Sequence, residues 1–244
     1  MKFLSNIFSQ KKSSSPMDVE LVEAIVNEDY EGAEVALKNG ANPDIPDGNG
    51  NPILLVTSSS QKVEFVRILL ENGANPNCIS TNKNSENSKS TPLIRSSSNG
   101  SYEVSRLLIK YGADVNKTDK TKLSPLMCAA YKGYENILDL LLKNGAELEY
   151  KDEEGQNALM FATNNGKLNT TMLLLDSGAE INSKDKQNNT PIMYASQHGH
   201  DDIVKLLISK GADLQCKNRS KLTALDFAEN NKRISTVELI KNSL

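Results

Sequence analysis

The sequence predicts an all-α solenoid built from about seven stacked helix–turn–helix units, and three observations point to it. Gly-Ala pairs fall at residues 40–41, 73–74, 112–113, 145–146, 178–179 and 211–212, spaced 33, 39, 33, 33 and 33 residues apart. Helix-opening triplets recur with them, 33 residues apart from the second on: Asn51-Pro52-Ile53, Thr91-Pro92-Leu93, Ser124-Pro125-Leu126, Asn157-Ala158-Leu159, Thr190-Pro191-Ile192 and Thr223-Ala224-Leu225. The chain of 244 residues has no Trp and only 5% aromatic residues. A single compact core of that length usually carries more aromatic bulk, whereas stacked helix pairs rich in Ala and Leu do not need it.

The stretch Ser124–Asp152 shows one unit whole. Pro125 suits the first turn of a helix, where its missing N–H costs nothing, and Ser124 supplies a capping oxygen. Leu126, Ala129 and Ala130 put apolar groups at helical spacing, and the small alanines let a neighbouring helix come close. Gly133 breaks the run. Ile137, Leu138, Leu141 and Leu142 then form one broad apolar face of a second helix. Gly145 follows as its stop, a position that favours a left-handed backbone. Such a hairpin cannot cover its own apolar face and needs a like neighbour on each side.

Taken in order, residues 1–16 (MKFLSNIFSQKKSSSP) read as a flexible tail. Its apolar stretch is too short and interrupted for a secretory signal. Phe3, Leu4, Ile7 and Phe8, with Lys11 and Lys12, give a second reading as a membrane-surface anchor within residues 1–12. The units follow at 17–45, 46–78, 79–117, 118–150, 151–183, 184–216 and 217–244. In the first, Val19, Leu21, Val22, Ile25 and Val26 form the apolar face, and Asp18, Glu20, Glu23 and Asn27 suit a wetted outer side. Six extra residues lie within Ile79–Ser90, a Ser-, Asn- and Lys-rich segment expected to form a longer surface loop at little cost in stability. Where a histidine is usual in the opening phrase, this chain has Ile94, Met127, Met160, Met193 and Asp226. The three Met predict an internal packing column, and Phe161, Tyr194 and Phe227 predict a second one. The irregular second and third units are expected to be the weakest.

The phrases Gly112–Asn116 (GADVN), Gly145–Glu149 (GAELE), Gly178–Asn182 (GAEIN), Gly211–Gln215 (GADLQ) and Thr190–Ala195 (TPIMYA), repeating every 33 residues, resemble the ankyrin repeat family over about residues 17–244. The resemblance implies a bare ankyrin array with no catalytic domain attached, and short β-hairpin fingers joining consecutive units. It also implies that partners are proteins, bound at finger tips and at the exposed ends of the first helices on a concave face.

Catalysis requires a nucleophile, a base and an orienting group at one point, and no such set is present. His198 lies at a helix edge and His200 belongs to a turn. Cys78, Cys128 and Cys216 are far apart, with Cys128 expected to be packed. They form neither a C-x-x-C motif nor a disulfide framework, which points to a reducing compartment. There is no phosphate loop, no metal-ligand spacing and no cofactor motif. The net charge of −3 gives no global footprint for nucleic acid. No apolar run reaches the length of a membrane-spanning helix. A cytoplasmic monomer is expected, with the nucleus and export as an effector left open.

The variable helix-end positions are Ser98 and Asn99, Tyr131 and Lys132, Asn164 and Asn165, Gln197 and His198, and Asn230 and Asn231. Tyr131 is the large aromatic among them and the expected anchor, and the amides predict a polar groove. On the fingers, Lys117, Lys120 and Lys122 are basic, Asp152, Glu153 and Glu154 acidic beside Lys151, Lys184 and Lys186 basic around Asp185, and Lys217, Arg219 and Lys221 basic. Leu123 and Leu222 are expected as exposed apolar points. The function expected is a non-catalytic adaptor or scaffold for a protein partner, with a membrane tether or a stoichiometric regulator of an enzyme as alternatives.

Overall fold

The computed structural model describes residues 15–80 and 89–244. The chain divides into two compact units, Met1–Lys120 and Thr121–Leu244. The first carries α1 (Pro16–Val26), α2 (Tyr30–Lys38), α3 (Ile53–Ser59), α4 (Val63–Glu71), α5 (Pro92–Asn99) and α6 (Tyr102–Lys110). The second carries α7 (Pro125–Lys132), α8 (Glu135–Lys143), α9 (Ala158–Asn164), α10 (Leu168–Asp176), α11 (Pro191–His198), α12 (Asp201–Ser209), α13 (Ala224–Asn230) and α14 (Ile234–Lys241). Odd helices pack on the even helix that follows. Within each unit odd helices also stack on odd, as α3 does on α5 and α7 on α9, and even on even, as α4 does on α6 and α8 on α10.

The helix starts follow from the opening triplets. Ser124, Asn157 and Thr223 each accept the backbone N–H three residues on, satisfying one donor that the first turn leaves open. α3 differs. Pro52 occupies its N-cap and no side chain caps it, while Asn51 is taken up by Asp47 and by the Ser80 hydroxyl, 2.6 Å away. The second helices stop as the Gly-Ala pairs predict. Gly145 has φ +86° and its N–H reaches back to the Leu142 carbonyl at 3.1 Å, the left-handed stop that a Cβ disfavours.

The core runs between the helices. Met127, Met160 and Met193 are all buried, as the packing column requires, but the next position, Asp226, leaves the column to cap α13. Ile137, Leu138 and Leu141 are buried, and Leu142 is half-buried. The aromatic column is looser than expected, since Phe161, Tyr194 and Phe227 are all half-buried. In the first pair of helices Asp18 does not face outward as expected. Its carboxylate accepts the N–H groups of Ser15 (2.9 Å) and Asn42 (2.7 Å) and so ties the start of α1 to the segment after α2. Burial pushes this carboxyl up, but the N–H groups of Asn42 and Ser15 and the Ser15 hydroxyl outweigh it and hold the group below its ordinary value.

Among the described residues the fingers turn the chain without forming strands. Among the described residues the one β-bridge joins Pro46 to Pro52, so the expected β-hairpins are reversals held by side chains. Asp185 shows how: one carboxylate oxygen accepts the N–H groups of Gln187 (2.8 Å) and Asn189 (2.7 Å), and its backbone N–H reaches the Asn189 carbonyl at 3.1 Å. Asp47, Asp152 and Asn218 do the same. Such a turn satisfies its own backbone and needs no ladder. The tail at 1–14, with its anchor reading, and residues 81–88 of the long loop lie outside the described residues.

Candidate interaction surface

The exposed residues that differ between helix pairs lie at the ends of α7, α9 and α11 and on the fingers of the second unit. Tyr131, at the end of α7, is 45% exposed. Its ring meets Phe161 of α9 edge to face, with centroids 6.4 Å apart and planes at 72°. The Lys132 ammonium sits 5.3 Å from the Tyr131 ring centroid. The phenol is thus held on one side by an aromatic edge and on another by a cation, with much of its surface open.

The expected polar row along the other helix ends is only partly available. The Asn165 amide donates to the Phe161 carbonyl (2.9 Å), and Asn231 does likewise to Phe227 (2.9 Å). One donor of each amide thus finishes its own helix, which leaves the second N–H and the oxygen for a groove. Asn164 and Gln197 are half-buried, and their carbonyl oxygens are used by the next helix pair. His200 Nε2 lies 3.2 Å from the Asn164 oxygen, and Arg233 Nε donates to the Gln197 oxygen at 3.1 Å. His200 therefore links two neighbouring helix pairs and does more than fill a turn. A Cβ on Gly166 would come within 2.9 Å of the His200 ring, so glycine there makes room for this cross-link. His198 is exposed and stacks on His200 with centroids 5.7 Å apart. Burial, His200 and Arg233 together hold His198 below its ordinary value.

On the fingers, Lys120 (at the end of the first unit), Glu153, Glu154, Lys186 and Arg219 are exposed. Leu123 and Leu222 are half-buried and not the open apolar points expected of them, since each adjoins the start of a helix that packs on its neighbours, α7 and α13. Backbone hydrogen bonds join successive fingers: Glu153 N–H to Thr121 O (3.2 Å), Lys186 N–H to Glu154 O (3.0 Å) and Arg219 N–H to Gln187 O (2.8 Å). Tyr194 adds a tie that the packing-column reading missed. Its hydroxyl donates to Asp185 at 2.6 Å and accepts from Gln156 at 3.0 Å, so α11 holds its own finger and the one before it. Burial, with the Asp185 carboxylate, pushes the Tyr194 phenol well above its ordinary value. A polar ring on an otherwise Phe position was the signal in the sequence.

Among the described residues no three His, Cys, Asp or Glu side chains group as a metal site, and no helix is long and apolar enough to cross a membrane. Cys78 is buried, which pushes its thiol up to about 12, and Cys128 is only half-buried.

Repeated helix pairs, joined by finger turns and stacked like on like, define a helical-repeat protein. The family follows from comparison with known families. The model described as ankyrin repeats matches in three copies, over residues 21–119, 114–185 and 159–243, and the chain belongs to the ankyrin repeat family. A search of curated proteins found no match. Ankyrin repeats are in general protein–protein interaction modules.

Proposed function

We propose that the chain is a non-catalytic adaptor or scaffold that binds a protein partner through the first-helix ends and finger tips of its second unit. The observation that carries this reading is Tyr131. A large, half-open ring, braced by Phe161 and Lys132, offers contact area with little rotamer freedom left to lose, which is what a binding anchor requires. Phe161, half-buried, supplies an apolar contact beside it. Lys132, Gln197 and His198 supply a polar edge.

The test is affinity capture from native cell extract with wild type and Tyr131→Ala/Lys132→Ala, with Lys143→Ala on α8 as control. Proteins retained by wild type and the control should be lost with the double variant, and its thermal midpoint should match wild type. Retention by the double variant would move the binding surface elsewhere.

A further inference from the structure

We propose that the two fingers at residues 184–189 and 217–222 form a preorganised cationic surface for a short acidic peptide segment of a protein partner. The charge there is concentrated and not drawn into close ion pairs. Lys184, Lys186, Lys217, Arg219 and Lys221 stand on these two turns in a chain whose net charge is −3. None has a carboxylate within ion-pair distance among the described residues, whereas the helix lysines and arginines Lys38, Arg67, Arg106, Lys143 and Lys210 all do. The one carboxylate on these turns, Asp185, is buried and fully used by Gln187, Asn189 and Tyr194.

Two details show charge placed where backbone chemistry alone favours something else. Asp119, Asp152 and Asp185 recur at 33-residue spacing, and the next position is Asn218. Its amide oxygen still accepts the N–H groups of Ser220 and Leu222, both at 3.0 Å, so the turn is kept while its negative charge is gone. Lys221 has φ +62°, at the position that is Gly155 (φ +81°) in an earlier finger. A side chain in this left-handed region is strained; lysine also fills the position as Lys89 (φ +70°) and Lys122 (φ +61°), so the turn accepts a lysine there and Lys221 adds its charge at an exposed tip.

The surface is also rigid. Arg219 N–H binds Gln187 O at 2.8 Å, the Asn218 amide donates to Asn189 Oδ1 at 2.8 Å, and Tyr194 holds Asp185 from α11. Cations carried on a fixed backbone bind an anion with less ordering cost than cations on a mobile loop. The neighbouring finger sets the length of the ligand. Glu153 and Glu154 are exposed, and the Glu154 carbonyl accepts the Lys186 N–H, so their carboxylates border the patch on that side. A nucleic acid tracking along the fingers, or a flat anionic membrane, meets that acidic edge, and a short acidic segment does not.

This rests on the protein-binding reading only in taking the ligand to be a peptide. The experiment titrates the full chain against a fluorescein-labelled oligoglutamate peptide by anisotropy, with a single-stranded oligonucleotide and phosphatidylserine vesicles as parallel arms. The peptide should bind, and binding should weaken about tenfold or more as salt rises from roughly 50 to 300 mM. Lys186→Gln/Arg219→Gln/Lys221→Gln should weaken it by about tenfold or more at the lower salt. Lys221→Gly separates charge from fold: binding should fall about threefold while the melting temperature stays level or rises. Asn218→Asp should also weaken binding. Tyr131→Ala/Lys132→Ala should leave this titration unchanged, so the two proposals fail separately. The idea is overturned if the peptide does not bind, if the triple variant and Lys221→Gly bind it as wild type does, or if Lys221→Gly unfolds the protein. Equal or tighter binding of the oligonucleotide or the vesicles, with the same loss in the variants, overturns the peptide assignment.

Discussion

At the centre of the first-helix contact, α7 has Ala129 and Ala130. The residues 33 positions earlier, in α5, are Ser96 and Ser97, and the matching pair in α3 is Thr57 and Ser58. All six are buried. The contact thus demands small side chains in both units but leaves their chemistry open. Alanine meets the demand with no polar group to satisfy. The hydroxyls need partners, and some find them locally: Thr57 donates to the Ile53 and Leu54 carbonyls, and the Ser105 hydroxyl donates to Ser96 Oγ at 2.8 Å. The Ser58 and Ser97 hydroxyls find none among the described residues. In the second unit the corresponding positions hold at most one hydroxyl per helix, Thr163 in α9, which donates to the Met160 carbonyl, and Ser196 in α11, which alone of the two finds no partner among the described residues. The first unit therefore builds the same contact at a higher energetic cost, and its α3 also lacks a side-chain cap.

The largest effect expected from this contrast is a gain. Ser58→Ala with Ser97→Ala should stabilise the first unit by about 2 kcal/mol, from two unpartnered buried hydroxyls removed and helix propensity improved. Urea titration followed by helix content, together with amide exchange of α3–α6, measures it. A loss of stability would mean that both hydroxyls are satisfied, and the contrast between the units would collapse.

A smaller effect sharpens the comparison by holding chemistry constant. Gly112 in the first unit and Gly145 in the second have φ of +87° and +86°, and a Cβ on either meets nothing within 4 Å. Valine at either position faces the same backbone penalty, expected to exceed about 1 kcal/mol. Equal losses in urea titration leave the first-helix residues as the source of any difference between the units. A native-like Gly145→Val would instead remove the left-handed stop from the account.

The repeat itself was legible from spacing, because each feature that sets it acts locally. A capping oxygen, a proline at the first helical position and a glycine stop work within a few residues of sequence. The burial of Met127, Met160 and Met193 was legible for the same reason. What escaped notice lies between units of the repeat. The His200 contact to the Asn164 carbonyl spans 36 residues, and the Tyr194 hydroxyl bond to Asp185 joins a helix to a finger. Neither follows from periodicity, which places residues on faces but does not pair their polar atoms. Asn165 and Asn231 show the opposite case: a local bond to the carbonyl four residues back takes one donor of amides that position alone leaves wholly free. Tyr131 was legible as an exposed aromatic, but not its bracing by Phe161.

The smallest expected effect lies where the methionine column stops. Asp226 occupies the position of Met127, Met160 and Met193, and its carboxylate accepts the Thr223 N–H and hydroxyl, both at 2.7 Å, while Thr223 Oγ1 accepts the Asp226 N–H at 3.3 Å. The Thr223 N–H above all, then its hydroxyl and the Lys217 charge, hold this carboxyl below its ordinary value against a small opposing effect of burial. A folded-state value below the unfolded one means that the contribution is present above the unfolded carboxylate value, near ~4. It is lost as pH falls through the lower folded value. Asp226→Asn should therefore destabilise the second unit by less than about 1 kcal/mol at neutral pH. The difference from wild type should shrink as the pH falls from the unfolded carboxylate value through the lower folded one. Urea titrations at neutral and acid pH measure it. A difference that stays constant with pH would show that the Asp226 charge contributes nothing and that shape alone closes the start of α13.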